Sequence, residues 1–419
     1  MIRRDATEPA RKPSSAPRAP LAQLLPLYIV VFAGFVGYSL MITVFTPMLL
    51  RADTGMVPTG ASTSWRTIAL GVLLCLYPLG QFIGSPVLGA LSDRFGRRPV
   101  LLVSLAATTF CYAAISASIA MQNLVVLGAA TLLAGLAEGN IVTAQGAIAD
   151  LVAPAERNRY FGYIYLAASL AYIVGPLAGG KLAAPGLASW FGDATPFWAS
   201  FLLLGLTWLA VLLQFRETAT PDAARGFHLA ETVSGLARIV TDRRLRRYYA
   251  VNFLLYLAMF GFFRSYPMYL VDQYRLDVSR VSEFVAFTGV GIVLANLWLT
   301  GFLSAHLSVK LLTVGSAIFA GIFMAAIPAP PRLAAIWPLL FLTSVGVAVC
   351  LPSCASLLSN AADRDEQGRV MGNNQALQVA GEALSGLAAG LLAAIVVKLP
   401  LLVLGAISVV AAILVGALI

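Results

Sequence analysis

The chain has 419 residues, of which 59% are hydrophobic and 11% charged, whereas a globular domain is about half apolar and about a quarter charged. Too few polar side chains exist to cover a water-facing surface, so a soluble fold is excluded. The net charge of +9 does not point to nucleic acid, because Lys and Arg cluster between long apolar runs, where they report membrane topology.

Met1 to Pro20 is polar, rich in Arg, Ala and Pro, and lacks a short apolar core with a small-residue cleavage site. Residues 1–22 are therefore expected to be a cytoplasmic tail. A spanning helix needs about 20 apolar residues. Such runs lie near 24 to 50, 66 to 91, 99 to 121, 124 to 149, 161 to 184 and 195 to 215, then near 248 to 271, 282 to 304, 310 to 328, 334 to 358, 371 to 396 and 399 to 418. The predicted fold is an all-α integral membrane protein with twelve transmembrane helices. They form two six-helix bundles, 23–215 and 248–419, joined by a cytoplasmic linker over 216–247. With both termini inside, 20 of the 28 Lys and Arg fall in the tail and inner loops, 7 in outer loops and their edges, and Arg264 in a span. That asymmetry sets the orientation and points to the inner (cytoplasmic) membrane of a cell.

Between the second and third spans runs Gly89-Ala90-Leu91-Ser92-Asp93-Arg94-Phe95-Gly96-Arg97-Arg98-Pro99. Gly89 lets a neighbouring helix approach closely, and Gly96 supplies a sharp turn. Asp93 can accept charge-assisted bonds from Arg97 or from the positive end of a helix in the other half. Gly89, Asp93, Arg94, Gly96, Arg97 and Arg98 are expected to form a latch that closes the cytoplasmic side and breaks when the halves rock. Alternatively, the three arginines merely hold the loop inside. This run resembles the inner-loop signature of the major facilitator superfamily, and Ser92 to Pro99 is most similar to its drug/proton antiporter branch, which includes tetracycline exporters. The resemblance implies a secondary active transporter, a proton-coupled exporter of a small organic compound or drug by alternating access. Its energy source would be the proton gradient, with no cofactor.

In the second span Gln81 is a candidate pathway amide. In the fourth, Glu138 lies twelve residues from Asp150, about 18 Å deep at 1.5 Å per residue and hence near midplane. A charge there costs about 2.5 to 3.5 kcal/mol on insertion scales, so it marks a site hypothesis. Thr131, Glu138 and Gln145 recur at seven-residue intervals as a polar stripe, with Asn140 beside it. The resemblance places the fourth helix at the central cavity, so Glu138 is the leading proton-coupling or cation-binding acid; the alternative is a permanently protonated packing residue. Two departures weaken inherited coupling. The fourth-helix Arg of drug antiporters is Thr131 here, and Leu24 to Leu50 holds no counterpart of the exporters' first-helix Asp. The fifth span contains Gly175, Pro176, Gly179 and Gly180, which resemble the exporters' Gly-Pro motif. Pro176 can kink the helix and the glycines admit close packing.

Offsets of 210 to 220 residues relate the halves: Gly89, Leu91 and Ser92 match Gly301, Leu303 and Ser304, while Glu156, Arg159 and Gly162 match Glu366, Arg369 and Gly372. Parallel six-helix repeats are a transporter architecture with the substrate site between the halves. Arg264 sits seventeen residues beyond Arg247 in the seventh span, about 25 Å from the inner edge. Arg264, Asn252 and Tyr256 could bind a polar or anionic substrate group; alternatively Arg264 snorkels to headgroups or pairs with an acid. The anionic reading carries its own alternative function, uptake or facilitated diffusion of a metabolite or siderophore-like organic anion. In the eleventh span Asn374, Gln378 and Glu382 stack at four-residue spacing. Glu382 is the second proton-coupling candidate, or else a structural bond between the halves, and Gln378 a substrate-binding candidate. Tyr77, Phe262, Phe263, Tyr266 and Tyr269 could stack on a flat substrate, or pack.

Cys75, Cys111, Cys350 and Cys354 lie inside apolar runs without ligand spacing, so free thiols and no metal are expected. A membrane-embedded enzyme fits poorly, since the two histidines, His228 and His306, lie near inner loops and no catalytic motif occurs. The expected partners are a small-molecule substrate and the lipid bilayer, with no nucleic acid. One chain contains both halves, so a monomer suffices.

Overall fold

A computed structural model describes residues 21–51, 55–58, 60–153, 156–184, 188–219, 239, 241–363 and 366–418. Residues 1–20 of the expected tail, His228 and residues 220–238 and 240 of the expected linker lie outside them, and residues 21–22 begin a helix. Among the described residues twelve helices are long and apolar enough to cross a membrane: α1 (Gln23–Leu50), α2 (Thr63–Phe95), α3 (Arg97–Ala120), α4 (Leu124–Leu151), α5 (Arg159–Ala183), α6 (Thr195–Gln214), α7 (Arg246–Tyr274), α8 (Val278–His306), α9 (Val309–Ala326), α10 (Leu333–Ala361), α11 (Gln367–Ile395) and α12 (Leu399–Ala417). Their order follows the apolar runs because each helix satisfies its own backbone in hydrocarbon. Several starts are written locally: Ser62, Asn123, Asp277 and Ser308 accept backbone N–H bonds as caps of α2, α4, α8 and α9.

Two spans depart from the expected continuous helices. α4 is interrupted at Gly139, between Leu124–Glu138 and Asn140–Leu151. The cause is close packing on α2. A Cβ at Gly139 would meet the Gly84 carbonyl carbon at 2.6 Å, and Gly80, Gly84 and Gly135 are pressed equally tightly against backbone of the partner helix. In α8, residues Ala295–Leu299 form one π-helical turn. Pro176, by contrast, sits within an unbroken α5.

The α2–α3, α4–α5 and α10–α11 connections share one end of the bundle, here termed the basic end. Contacts between the two six-helix sets run from mid-bundle to the opposite end. Ser64 Oγ of α2 donates to the Ala394 carbonyl of α11 at 2.8 Å. A Cβ at Gly71 would lie 2.7 Å from Gly390 Cα, and one at Gly180 would strike Ser282 of α8. Ser385, Gly386, Ala389 and Gly390 are all buried, with Gly386 and Gly390 against α2. Toward the basic end Gly162 of α5 and Gly372 of α11 are exposed, and a Cβ added at either would meet nothing within 4 Å. The molecule is closed at the opposite end.

Arg66 helps to seal that end. Only 5% exposed, it donates to the carbonyls of Leu49, Arg51, Pro58 and Ala61 at 2.9 to 3.3 Å, which fixes the α1–α2 connection. In the sequence it is one of the seven basic residues of the outer loops and their edges, with nothing local to mark this role.

Candidate functional site

Glu138 ends the first segment of α4 and is 1% exposed. Its carboxylate Oε2 accepts the Tyr77 hydroxyl of α2, while Oε1 has no hydrogen-bond partner in the protein. The carboxyl lies against Gly34 of α1, where a Cβ would run into it. Tyr112 of α3 is likewise seated against Gly37, one turn along α1. Thus α1 supplies small residues where α2, α3 and α4 bring an acid and two phenols together. Among the described residues Glu138 forms no ion pair.

The Tyr77 ring stacks on Tyr38 of α1, with centroids 4.7 Å apart and planes at 15°. The Tyr38 hydroxyl donates to Glu382 Oε1 of α11 at 2.5 Å and accepts from Arg264 Nη2 of α7. Arg264 Nη2 also pairs with Glu382 Oε1 at 3.2 Å, and the two side chains are 1% and 11% exposed. Arg264 Nη1 reaches the Phe260 carbonyl at 3.3 Å. Of the sequence alternatives for Arg264, pairing with an acid is the one observed, and snorkelling is excluded by its burial. Two carboxyls in opposite halves are thereby joined through two stacked tyrosines.

The remaining candidates separate from this centre. Asn252 Nδ2 donates to the Cys354 carbonyl at 3.0 Å and to Asn374 Oδ1 at 2.9 Å, and Asn374 Nδ2 donates to the Tyr256 hydroxyl at 2.7 Å. Asn252 and Tyr256 therefore tie α7 to α10 and α11 rather than joining Arg264. Thr131 is buried and spends its hydroxyl on the Leu127 carbonyl at 2.7 Å, so it adds nothing to a stripe with Glu138. Gln81, Gln145 and Gln378 are half-buried. Asn140 is 1% exposed, and both polar atoms of its side chain lack a partner in the protein. Of the aromatic candidates, Tyr77 is committed to Glu138, and Phe262 and Tyr266 are fully buried. All four cysteines are free thiols.

At the basic end Arg97 is the hub of the α2–α3 loop. Its Nη1 pairs with Asp93 at 2.6 Å and bonds Ser92 Oγ at 2.6 Å, and its Nε pairs with Asp150 of α4 at 3.1 Å. Arg98 donates to the Leu212 carbonyl of α6 at 2.8 Å, whereas Arg94 is exposed and lies over the Phe95 ring. Asp93 thus takes the Arg97 alternative, within its own half. Gly96 has φ +99°, a conformation that favours glycine. Gly89 makes only an ordinary contact, 3.7 Å from Val142 to a built Cβ; the tight approaches of α2 occur at Gly71, Gly80 and Gly84 instead. In the fifth-span motif Gly175 and Gly179 pack on α1 and Gly180 on α8.

Sequence reasoning missed Glu217. Its carboxylate accepts the backbone N–H of Arg97 at 2.8 Å and of Arg98 at 3.0 Å, capping α3 from the segment after α6. Burial raises this carboxyl, but the amides of Ala219, Arg97, Arg98 and Thr218 outweigh it and hold it below the usual carboxylate range. A depressed acid stabilises the fold above its unfolded pKa and loses that contribution as pH falls through its folded value. Glu217→Ala is accordingly expected to cost about 1 kcal/mol, the scale of a helix cap, at neutral pH. The deficit relative to the parent should vanish on acidification. Thermal unfolding at both pH values measures it, and a deficit unchanged by pH would refute the capping role.

Comparison with known proteins gives three results. A family model described as Major Facilitator Superfamily matches residues 27–374 and 249–419. "Tetracycline resistance protein, class C" of Escherichia coli is 29% identical over 311 residues, 73% of this chain and 75% of that one; the class G protein of Vibrio anguillarum is 30% identical over 305 residues, 72% and 75% of the two chains. The crystal structure of the human organic anion transporter MFSD10 (TETRAN) superposes with TM-score 0.67 at 19% identity, covering 94% of this chain and 99% of that chain.

Proposed function

Because the chain belongs to the major facilitator superfamily, and is therefore a transporter and not an enzyme, we propose that it exports a small organic compound by proton antiport. It would work by alternating access in the cytoplasmic membrane, with the basic end and both termini inside. Similarity to two tetracycline resistance proteins supports export. The observation that carries proton coupling is Glu138, a buried mid-span carboxyl that hydrogen-bonds a phenol and has no counter-ion among the described residues. An unpaired buried charge is costly and a protonated carboxyl is not, so binding and losing a proton is the chemistry open to this group. Glu382 keeps Arg264 as counter-charge, which supports Glu138 over Glu382 as the coupling acid. The same pairing supplies Arg264 with a counter-charge from within the protein, which favours the export reading over an anionic cargo held by Arg264.

Purified protein in liposomes holding a pH-sensitive dye, challenged with an imposed pH gradient and a panel of drugs and organic anions, tests the proposal. Substrate-dependent proton movement in exchange for cargo is expected. Cargo that equilibrates without proton movement would make the protein a facilitator.

The Asp93–Arg97–Asp150 cluster organises the basic end of α2, α3 and α4, and we assign it the latch role for the state in which that end closes. Asp93→Asn should slow turnover about tenfold, within the range of a conformational coupling energy, with substrate affinity preserved. Flux assays and equilibrium binding separate the two quantities, and normal turnover would sink the latch.

A further inference from the structure

Tyr38 occupies a place that no motif announces. It rides on α1, in the first half, yet both of its polar partners, Arg264 and Glu382, belong to the second. Its ring lies flat on Tyr77, which holds Glu138 in the first half. Tyr172 of α5 meets the same ring edge-on, with centroids 6.4 Å apart, and the Arg264 guanidinium lies 5.9 Å from its centroid. The hydroxyl is therefore fixed in direction by three aromatic and cationic neighbours and is 7% exposed with the rest of the residue.

Rocking of the halves affects these contacts unequally. Arg264 and Glu382 sit on α7 and α11 of the same half, so their ion pair survives a rigid-body rotation. Tyr38 and Tyr77 also move together. The bonds at the Tyr38 hydroxyl span the two rigid bodies, so they must break when the opposite end opens, together with the Ser64–Ala394 bond. A protonated Glu138 and a charged one differ in what they accept from Tyr77. The Tyr38 ring stacked on Tyr77 receives that difference directly. The groups facing Glu138 are Tyr77 of α2 with Tyr112 and Cys111 of α3. Those facing Glu382 are Arg264 of α7, Tyr38 of α1 and Tyr172 of α5.

We propose that Tyr38 is the positioning residue that couples the protonation of Glu138 to opening of the opposite end, by making or releasing its hydroxyl's hydrogen bonds to the Arg264–Glu382 pair across the interface. This rests on the proton-antiport reading of Glu138. The hydroxyl does the work, so removing it while keeping the ring should uncouple the two events without disturbing the stack.

Spin labels report the opening directly. They are placed at Met121 and Val396, exposed by 72% and 46% at the opposite end, in full-length protein whose four cysteines are replaced by alanine. In the parent the ratio of open to closed distances should change about tenfold between about pH 5 and about pH 8, the size of a typical coupling. Tyr38→Phe should hold that ratio constant within about twofold, and Tyr77→Phe should do the same. If Tyr38→Phe keeps the parent's pH response, the proposal is overturned. Glu138→Gln, measured alongside, separates the two claims. A pH response that survives in Glu138→Gln removes the antiport reading of that acid, and the Tyr38 proposal with it. A response lost in Glu138→Gln but kept in Tyr38→Phe removes the Tyr38 proposal alone. A parent ratio indifferent to pH overturns both. Global loss of structure in Tyr38→Phe would show as a distance distribution unlike either parent population, and would refute the claim that only the hydroxyl matters.

Discussion

Glu138→Gln is expected to lower proton-driven flux by about 100-fold, the upper range of a typical coupling free energy, while exchange of cargo across liposomes continues. Glutamine keeps the size of the side chain and can still accept from Tyr77, so the packing against Gly34 should survive. What it cannot do is bind and release a proton. Parallel measurement of gradient-driven accumulation and of counterflow distinguishes loss of coupling from loss of folding. Unaltered accumulation would show that another group couples the cycle, and equal loss of accumulation and counterflow would show that Glu138 is structural.

Gly71→Leu should be as damaging for a different reason. A Cβ there would lie 2.7 Å from Gly390 Cα and 2.8 Å from the Gly386 carbonyl oxygen, distances that only backbone movement can relieve. These are contacts between the halves, so α2 can still pack on α4 through Gly80 and Gly84. Overpacking of this kind costs about 1 to 3 kcal/mol or more, levied only on the state closed at the opposite end. Turnover is expected to fall about 100-fold with the protein held open there, because a shift at the upper end of that range tips a balanced equilibrium to about 100:1. Gly192, where an added Cβ would meet nothing within 4 Å, supplies the control, and Gly192→Leu should transport normally. Cysteine accessibility at the opposite end, read with flux, checks the prediction. Normal turnover in Gly71→Leu would mean that the α2–α11 contact is not part of the cycle.

The candidate site was only partly legible in sequence. Glu138, Glu382 and Arg264 stood out because an ionisable side chain inside an apolar run has a local cost that can be read from one segment. Tyr77 stands out in sequence only as a ring that could stack on a flat substrate or pack, and Tyr38 not at all, because a buried phenol needs a partner and nothing local names it. Asn252 and Tyr256 illustrate the limit. They share a helix with Arg264 and were grouped with it, whereas the structure turns them toward Asn374 and Cys354.

The sequence by itself determined twelve spans, their order, the division into six and six, and the loop that carries Asp93 and Arg97. Those features follow from partition of each segment between water and hydrocarbon and from local caps and turns, which require no knowledge of neighbours. Tertiary structure alone decided that Arg264 meets Glu382, 118 residues away, and that Tyr38 meets Glu382 across 344. It also decided that α4 breaks at Gly139. Such pairings depend on how each helix is rotated about its axis and how closely glycines let backbones approach, and in a bilayer, where every face is apolar, that rotation is set by packing rather than by hydropathy.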